Sequence, residues 1–286
     1  MTTLTAQDLS KTYILRDGLR FSRLTAVQEV SFELSPGRTL ALVGQSGSGK
    51  STIAKLLMQL ESPTSGALLL DGAPVGRRGR ALAEYRHQVQ MVFQDPFASL
   101  NPYHSIAHHL IRPLLVHGRA TAATADAAAK ELLERVNLPA DSAFMERRPH
   151  ELSGGQRQRV AIARALAPGP KVLVADEPVS MLDVSVRLGV LNLLARLQQE
   201  EELAMLYITH DLATARHFSD EIMVMYQGRV VERGPADDVI LHPQQEFTRR
   251  LLAAAPEPST NQRFLAEARR RGVPMPDHLA QLEDLA

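Results

Sequence analysis

A glycine-rich stretch near the amino terminus has the residue types needed to bind phosphate. It reads Gly44-Gln45-Ser46-Gly47-Ser48-Gly49-Lys50-Ser51 and fits the P-loop pattern G-x-x-x-x-G-K-S/T. Glycine lets the backbone turn tightly, so its N–H groups and the helix amino terminus behind them can hold phosphate oxygens. Lys50 is predicted to reach the β- and γ-phosphates, and the Ser51 hydroxyl to ligate Mg²⁺. Thr52, next in the chain, is included among the predicted nucleotide contacts.

Polar residues follow two apolar runs further along the chain. Residues 171–176 end in Asp176, with Glu177 next, and residues 204–208 are followed closely by His210. Buried parallel strands present such side chains at their carboxyl ends, where ligands bind in open α/β sheets. Asp176 is therefore predicted to hold Mg²⁺ directly or through water, and Glu177 to polarise an attacking water. For His210 two interpretations stay open, which are contact with the γ-phosphate and a packing or capping role.

A second stretch with exposed backbone N–H groups reads Leu-Ser-Gly-Gly-Gln over residues 152–156. Ser153 and Gln156 have the capping-box spacing, and Gly154 and Gly155 lie between them. Apolar residues at helical spacing follow, so a helix is predicted to begin here. Taken alone, the stretch fits a second anion site and an ordinary helix cap equally well.

Two further residues lie close to predicted strands. Gln94 ends the predicted strand 89–93, where an amide can sense Mg²⁺ or the attacking water. Tyr13 lies upstream of the P-loop, where its ring could stack on adenine. The alternative is that Tyr13 packs on the core, and Phe21 is a competing aromatic for the stacking role.

An alternation of strands and helices along the chain would bring these candidate site residues together. Residues 39–43 are predicted to form a buried strand before the P-loop, and apolar residues at helical spacing follow the loop. Strands are also predicted around 27–34, and residues 184–200 are predicted to form a helix. This pattern predicts an α/β fold with a P-loop core sheet and an antiparallel β-subdomain at the amino terminus.

Three segments depart from this alternation. Residues 14–24 are interpreted as a polar, basic connection, and residues 94–152 as a helical insertion. Within the insertion, 99–113 is predicted to be irregular or weakly helical and 121–136 to be a helix. From residue 242 prolines punctuate a carboxyl-terminal appendage, which is predicted to include a short basic helix at 264–271.

Composition limits the classes of function. The 286 residues include 32 Lys and Arg against 32 Asp and Glu, so no excess of basic charge indicates a nucleic-acid partner. The absence of cysteine excludes disulfides, thiolate metal sites and cysteine nucleophiles. We expect no signal peptide and no membrane-spanning segment, so a membrane role would need a partner that spans the bilayer.

Taken together, the motifs resemble the ATP-binding subunits of ABC transporters over residues 4–234. The stretch at Gly44–Ser51 matches Walker A, and Gln94 matches the Q-loop glutamine. Residues 152–156 match the signature, and residues 172–178 match Walker B with its following glutamate. Ser180–Asp183 matches the D-loop, His210 the switch histidine and Tyr13 the A-loop. The resemblance implies an ATPase with ATP and Mg²⁺ as ligands. It assigns Glu177, His210 and Gln94 to catalysis, Ser51, Gln94 and Asp176 to the metal, and Asp183 to the nucleotide.

The resemblance also implies partners and a place in the cell. Two ATP-binding subunits, identical or paralogous, meet head to tail, and each ATP lies between the Walker A of one and the signature of the other. Two permease subunits cross the membrane, and an extracytoplasmic solute-binding protein acts indirectly. The chain is therefore expected to lie peripherally on the cytoplasmic face of the inner membrane.

A narrower resemblance concerns the transported solute. Residues 92–102, VFQDPFASLNP, and 242–256, HPQQEFTRRLLAAAP, are similar to the peptide/nickel importer subfamily. This implies import of di- or oligopeptides, with nickel, metallophores or oligosaccharides as alternatives. It divides the chain into an ATP-binding domain, 1–241, and an appendage of the peptide-importer type, 242–286.

Two other classes of function are alternatives to transport. A soluble ABC ATPase acting on DNA or ribosomes would typically have coiled-coil or zinc insertions, or two cassettes, and the sequence shows neither. A cassette without hydrolysis is disfavoured because Glu177 and His210 are both present.

An apolar group at the start of the insertion is interpreted as a permease docking patch. Its members are Pro96, Phe97, Leu100 and Pro102, directly after Gln94. The alternative is that these residues pack inside the insertion.

Overall fold

The computed structural model describes residues 2–17 and 20–254. The strands are β1 (Leu4–Asp17), β2 (Arg20–Leu34), β3 (Thr39–Val43), β4 (Ser65–Leu70), β5 (Ala73–Pro74), β6 (Val89–Val92), β7 (Val172–Asp176), β8 (Ala204–Thr209), β9 (Glu221–Tyr226) and β10 (Arg229–Pro235). The helices are α1 (Lys50–Leu57), α2 (Gly79–Gln88), α3 (Pro96–Ser99), α4 (Ile106–Val116), α5 (Ala125–Arg135), α6 (Ser142–Glu146), α7 (Gly154–Leu166), α8 (Val184–Glu200), α9 (Leu212–Phe218), α10 (Ala236–Leu241) and α11 (Glu246–Ala253). None of the helices in these two ranges combines the length and the apolar character needed to cross a membrane.

A six-stranded sheet forms the centre of the fold, in the order β10-β9-β3-β8-β7-β6. The strands from β9 to β6 run parallel, and β10 is antiparallel to β9. In the register of this sheet Val43 pairs with Thr209, and Asp176 pairs with Ile208. The carboxyl ends of β3, β7 and β8 therefore lie at one edge. Every residue of these three strands is buried, which explains their continuous apolar runs.

A second, antiparallel sheet has the order β2-β1-β4-β5. The prediction of a polar connection at 14–24 was wrong, because β1 continues to residue 17 and β2 begins at residue 20, and the two strands pair here, with Tyr13 opposite Leu24 and Leu15 opposite Ser22. Ile14 and Phe21 are each 70% exposed. This part of the hairpin has no buried face, so its sequence lacks the apolar alternation that identifies a strand.

Four helices, α3 to α6, lie between Gln94 and Leu152. The prediction that 99–113 is at most weakly helical was wrong, because α4 occupies 106–116. Its buried residues Ile106, Leu110 and Leu114 recur at helical spacing. Pro113 lies inside this helix, and its presence obscured the pattern in the sequence.

Two apolar cores cover the two faces of the central sheet. One face packs against the helices of the insertion, α7 and α8, with Val43, Leu110 and Leu133 among its buried residues. The other face packs against α1 and the antiparallel sheet, with Leu9 and Leu42 among its buried residues. Neighbouring residues of β3 thus enter opposite cores, as the alternation along a strand requires. The predicted α/β class, with an antiparallel sheet and helical elements, is confirmed.

The carboxyl-terminal segment packs back onto the central sheet as far as residue 254. Phe247 and Leu251 of α11 pack against the core that faces the insertion. The predicted helix at 264–271 lies outside the described residues. The division at residue 241 into domain and appendage stays a prediction.

Candidate functional site

The P-loop, residues 44–51, follows β3 and ends in the first turn of α1, and close backbone contacts explain two of its glycines. A Cβ at Gly44 would lie 2.3 Å from the carbonyl oxygen of Met225, and one at Gly49 would lie 2.2 Å from that of Ala26. Gly49 also has a φ of 110°, which disfavours any other residue. The loop is thus pressed against β9 and β2, and this contact sets its curvature.

Lys50 places a positive charge inside the curve of the loop. Its Nζ donates hydrogen bonds to the carbonyl oxygens of Gly44, at 2.7 Å, and Gln45, at 2.9 Å. The side chain is 6% exposed, and this burial lowers the pKa of the ammonium, while Glu177 and Asp176 act in the opposite direction. Phosphate oxygens are stronger acceptors for a buried ammonium than neutral carbonyls, so the donors fit a phosphate chain.

The residues between Gly44 and Gly49 differ in their exposure to solvent. Gln45, Ser46 and Gly47 are exposed, whereas Ser48 is buried. The Ser48 hydroxyl has no hydrogen-bond partner among the described residues.

The three predicted metal ligands line one cleft. Ser51, Gln94 and Asp176 all border a cavity of about 1270 Å³ between the central sheet and the insertion. Asp176 is 8% exposed, and burial, with a smaller contribution from Glu177, raises its pKa to about 6, while Lys50 acts in the opposite direction. A hydroxyl, an amide and a carboxylate are the oxygen donors that Mg²⁺ prefers. The donor set fits the ion, and a cation beside Asp176 would favour its ionised form.

The three predicted catalytic residues meet at one carboxylate oxygen. Gln94 Nε2 donates to Glu177 Oε2 at 3.0 Å, and His210 Nδ1 lies 3.3 Å from the same oxygen. These side chains follow β6, β7 and β8, whose parallel register places their ends together. Glu177 has a φ of 43°, and its backbone N–H donates to the carbonyl of Ile208 at 2.9 Å. A non-glycine residue in this conformation is strained, as is typical of functional sites.

Tyr13 lies beside the helix that follows the P-loop. Its hydroxyl donates to Glu61 Oε2 at 2.6 Å, and it also shares a hydrogen bond with Thr52 of α1. Burial and the contact with Glu61 raise the pKa of the Tyr13 phenol. Phe21 instead lies further out on the hairpin, opposite Arg16. The position of Tyr13 favours it over Phe21, and stacking on a base stays a prediction.

The signature stretch begins α7 with the predicted capping box. Gln156 N–H donates to Ser153 Oγ at 3.2 Å, and Ser153 N–H donates to Gln156 Oε1 at 3.1 Å. A Cβ at Gly155 would lie 2.5 Å from Val186 Cγ1 of α8, so this glycine permits close helix packing. Ser153–Gln156 are outside the lining of the cleft that holds Ser51.

The D-loop connects this region to Glu177. Ser180 Oγ donates to the carbonyl of Glu177 at 3.0 Å. Asp183 is exposed at the start of α8, and the structure gives its side chain no capping bond within the described residues. The loop therefore leaves the Asp183 carboxylate free for a ligand or another chain.

The docking patch predicted at the start of the insertion needs correction. Pro96 and Leu100 are buried, because they anchor α3 to the core, whereas Phe97 and Pro102 are exposed. Phe97 lies outside the lining of the cleft, and the guanidinium of Arg157 stacks on its ring at 3.7 Å. Sequence reasoning missed Arg157, which also donates to the carbonyl of Leu152 at 2.8 Å. No local pattern could have indicated a contact between residues so far apart in the chain.

The glycine loop between a buried strand and a helix, with its enclosed lysine and strand-end carboxylates, defines a P-loop nucleotide-binding protein. Residues 27–180 match the family model for ABC transporters. The chain belongs to the ABC transporter family.

Curated relatives agree with the narrower resemblance to peptide importers. The chain is 46% identical to the di/tripeptide transport ATP-binding protein DppF of Pseudomonas aeruginosa, over 89% of the chain and 79% of that protein. It is 45% identical to the glutathione import ATP-binding protein GsiA of Pectobacterium atrosepticum, over 91% of the chain. The alignment covers 42% of GsiA, so the chain spans less than half the length of that relative.

Solved structures are similar in fold. The ATP-binding cassette MJ0796, a dimer in a post-hydrolysis state bound to ADP and phosphate, superposes with a TM-score of 0.71 at 30% identity. The match covers 82% of this chain and 98% of that one. CbiO1 of Clostridium perfringens, part of the ABC transporter complex cbiONQ, gives 0.72 at 26% identity, over 84% and 90%.

Lys50→Ala is expected to weaken ATP binding, because it removes the charge inside the P-loop. Loss of one charge-assisted hydrogen bond costs about 1.5–3 kcal/mol, or roughly 10- to 150-fold in affinity. Calorimetric titration with ATP and Mg²⁺ measures the change. Lys171→Ala, an exposed lysine before β7 at the end of the strand away from Asp176, is the control and should bind normally. Equal affinity in wild type and Lys50→Ala would show that the lysine only shapes a turn.

Proposed function

We propose that this chain hydrolyses ATP and that hydrolysis drives the import of small peptides through a membrane permease. The observation that supports it best is the meeting of Gln94 and His210 at Glu177 Oε2, beside the P-loop. The names of two relatives supply the solute, since one is a di/tripeptide transport protein and the other a glutathione import protein. Glutathione is itself a tripeptide, so a small peptide is common to both.

In this proposal the P-loop binds the phosphates, and Glu177 acts as the general base. Its carboxylate is oriented by the Gln94 amide and by His210, which both contact Oε2. Ser51, Gln94 and Asp176 would hold Mg²⁺, which supplies positive charge to the phosphate oxygens. His210 is 61% exposed, so its ring is accessible to the terminal phosphate of a bound nucleotide.

Two nucleotide-binding chains are proposed to form the complete site. The signature stretch lies outside the cleft with Ser51, so it does not complete the phosphate site of its own chain. Its capped helix start still exposes backbone N–H groups, which suit a phosphate from a second chain. The dimeric form of MJ0796 with ADP and phosphate supports this arrangement. Asp183, exposed nearby, would lie at the same interface.

The cleft is proposed as the site where a permease helix docks. Exposed apolar residues are part of its lining, namely Phe93 next to Gln94 and Val116 at the end of α4. Gln94 contacts both this cleft and Glu177, so an occupant of the cleft can affect the catalytic carboxylate. In this proposal the chain lies peripherally on the cytoplasmic face of the inner membrane, with two permease subunits and, indirectly, an extracytoplasmic solute-binding protein.

Glu177→Gln should abolish most turnover while preserving ATP binding. The amide keeps the shape of the side chain but cannot accept a proton from water, and general bases typically contribute about 10²- to 10⁴-fold. Phosphate release by the purified chain measures turnover, and titration with ATP measures binding. Glu134→Gln, on the exposed face of α5, is the matched control. Near-normal turnover of Glu177→Gln would exclude the general-base role.

Ser153→Arg should block association of two chains without affecting ATP binding to one. The arginine adds bulk and charge where a phosphate of the second chain would bind. Light scattering with ATP measures dimerisation, and Ser153→Ala controls for the loss of the helix cap alone, which costs about 1 kcal/mol of stability. If Ser153→Arg instead prevented ATP binding to the monomer, the proposed arrangement between two chains would be wrong.

Val116→Asp should weaken assembly with the permease, because it places a charge in the apolar lining of the cleft. Val116 is 63% exposed, so the fold and the basal ATPase activity should be retained. Leu115→Asp is a matched control, since Leu115 is 37% exposed on the same helix but outside the cleft. Co-purification with the permease subunits measures assembly. Normal assembly of Val116→Asp would count against docking here.

A further inference from the structure

The turn between β9 and β10 forms a support behind the P-loop. Gly228 N–H donates to the carbonyl of Ser48 at 2.9 Å, and Gln28 N–H donates to the carbonyl of Gly228 at 2.8 Å. The Met225 carbonyl is the group that leaves no room for a Cβ at Gly44. The β9–β10 hairpin therefore contacts the P-loop at Gly44, where the loop begins, and again at Ser48.

This turn has a conformation that needs support. Gln227 and Gly228 have φ values of 46° and 82°, so both central residues are left-handed. Such a turn suits a two-residue hairpin, but glutamine is disfavoured in it. Contacts from outside the turn are therefore expected to stabilise it.

Helix α11 supplies such contacts from the carboxyl-terminal segment. The Phe247 ring lies 4.2 Å from the ring of Tyr226, with 34° between the planes, and Tyr226 directly precedes Gln227. At the start of the helix, Gln244 and Gln245 donate their N–H groups to the two carboxylate oxygens of Glu232, at 2.7 and 3.2 Å. Glu232 belongs to β10, so α11 is attached to both strands of the hairpin.

We propose that α11 holds the β9–β10 turn, and through it the P-loop, in the shape that binds phosphate. Phe247 and Tyr226 are thus positioning residues for nucleotide binding. This inference rests on the proposed nucleotide site. Displacement of Tyr226 would move Met225 and Gly228, the two groups that contact the loop. The loop would then have to reorganise on binding, and a site that is less preorganised binds more weakly.

The test compares three variants of the full chain in calorimetric titration with ATP and in steady-state ATPase assays. Phe247→Ala should raise Kd and KM for ATP by about 2- to 12-fold, the range expected for one aromatic pair, with kcat at saturating ATP unchanged. Phe247→Tyr keeps the ring and should bind as the wild type does. Leu252→Ala is the matched control, since Leu252 packs against the core from the same helix. It should lower Tm without changing Kd.

Several outcomes would overturn the inference. Unchanged ATP affinity in Phe247→Ala would do so, as would equal weakening in Phe247→Ala and Leu252→Ala, since α11 would then act only through stability. If Phe247→Ala fails to fold, Phe247→Leu replaces it, because leucine retains apolar volume without the ring, and the same criteria apply. Failure of the proposed function would look different, since wild type would then bind no ATP and Lys50→Ala would change nothing.

Discussion

The parallel pairing of β3, β8, β7 and β6 is the constraint on which the site depends. It places the carboxyl ends of these strands at one edge of the sheet, so residues far apart in the chain lie close together in space. The strands are buried on both faces, so shifting one by a residue would move each of its side chains into the opposite core, where the space is shaped for another residue. The same packing that forms the two cores therefore also sets the distances from Glu177 to Gln94 and His210.

Two buried groups of opposite charge give the site its electrostatic character. Burial lowers the pKa of Lys50 and raises that of Asp176, and each charge partly offsets the shift of the other. Lys50 hydrogen-bonds only neutral carbonyls of its own loop in the contacts described. A phosphate chain beside Lys50 and a divalent cation beside Asp176 would each compensate a desolvated charge. The arrangement thus suits the two ligands together better than either alone.

The contacts around Glu177 connect the nucleotide site to three other regions. Gln94 leads to α3 and the insertion, where Phe97 stacks on Arg157 at the start of α7. Ser180 leads through the D-loop to α8. Behind the P-loop, the β9–β10 turn leads to α11. Direct contacts therefore join the P-loop and Glu177 to the cleft, to the signature helix and to the carboxyl-terminal segment.

The sequence by itself determined the P-loop, the strand-end carboxylates, the capped signature helix and the α/β class, because each depends on residue type at short spacing. It did not determine the hairpin at 14–24, whose exposed faces lack a pattern, or α4, whose pattern Pro113 interrupts. Only the tertiary structure decided that Gln94 and His210 share Glu177 Oε2, that Pro96 and Leu100 are buried, and that α11 contacts the β9–β10 turn. These are contacts between distant segments, and their geometry follows from strand register and core packing rather than from local spacing.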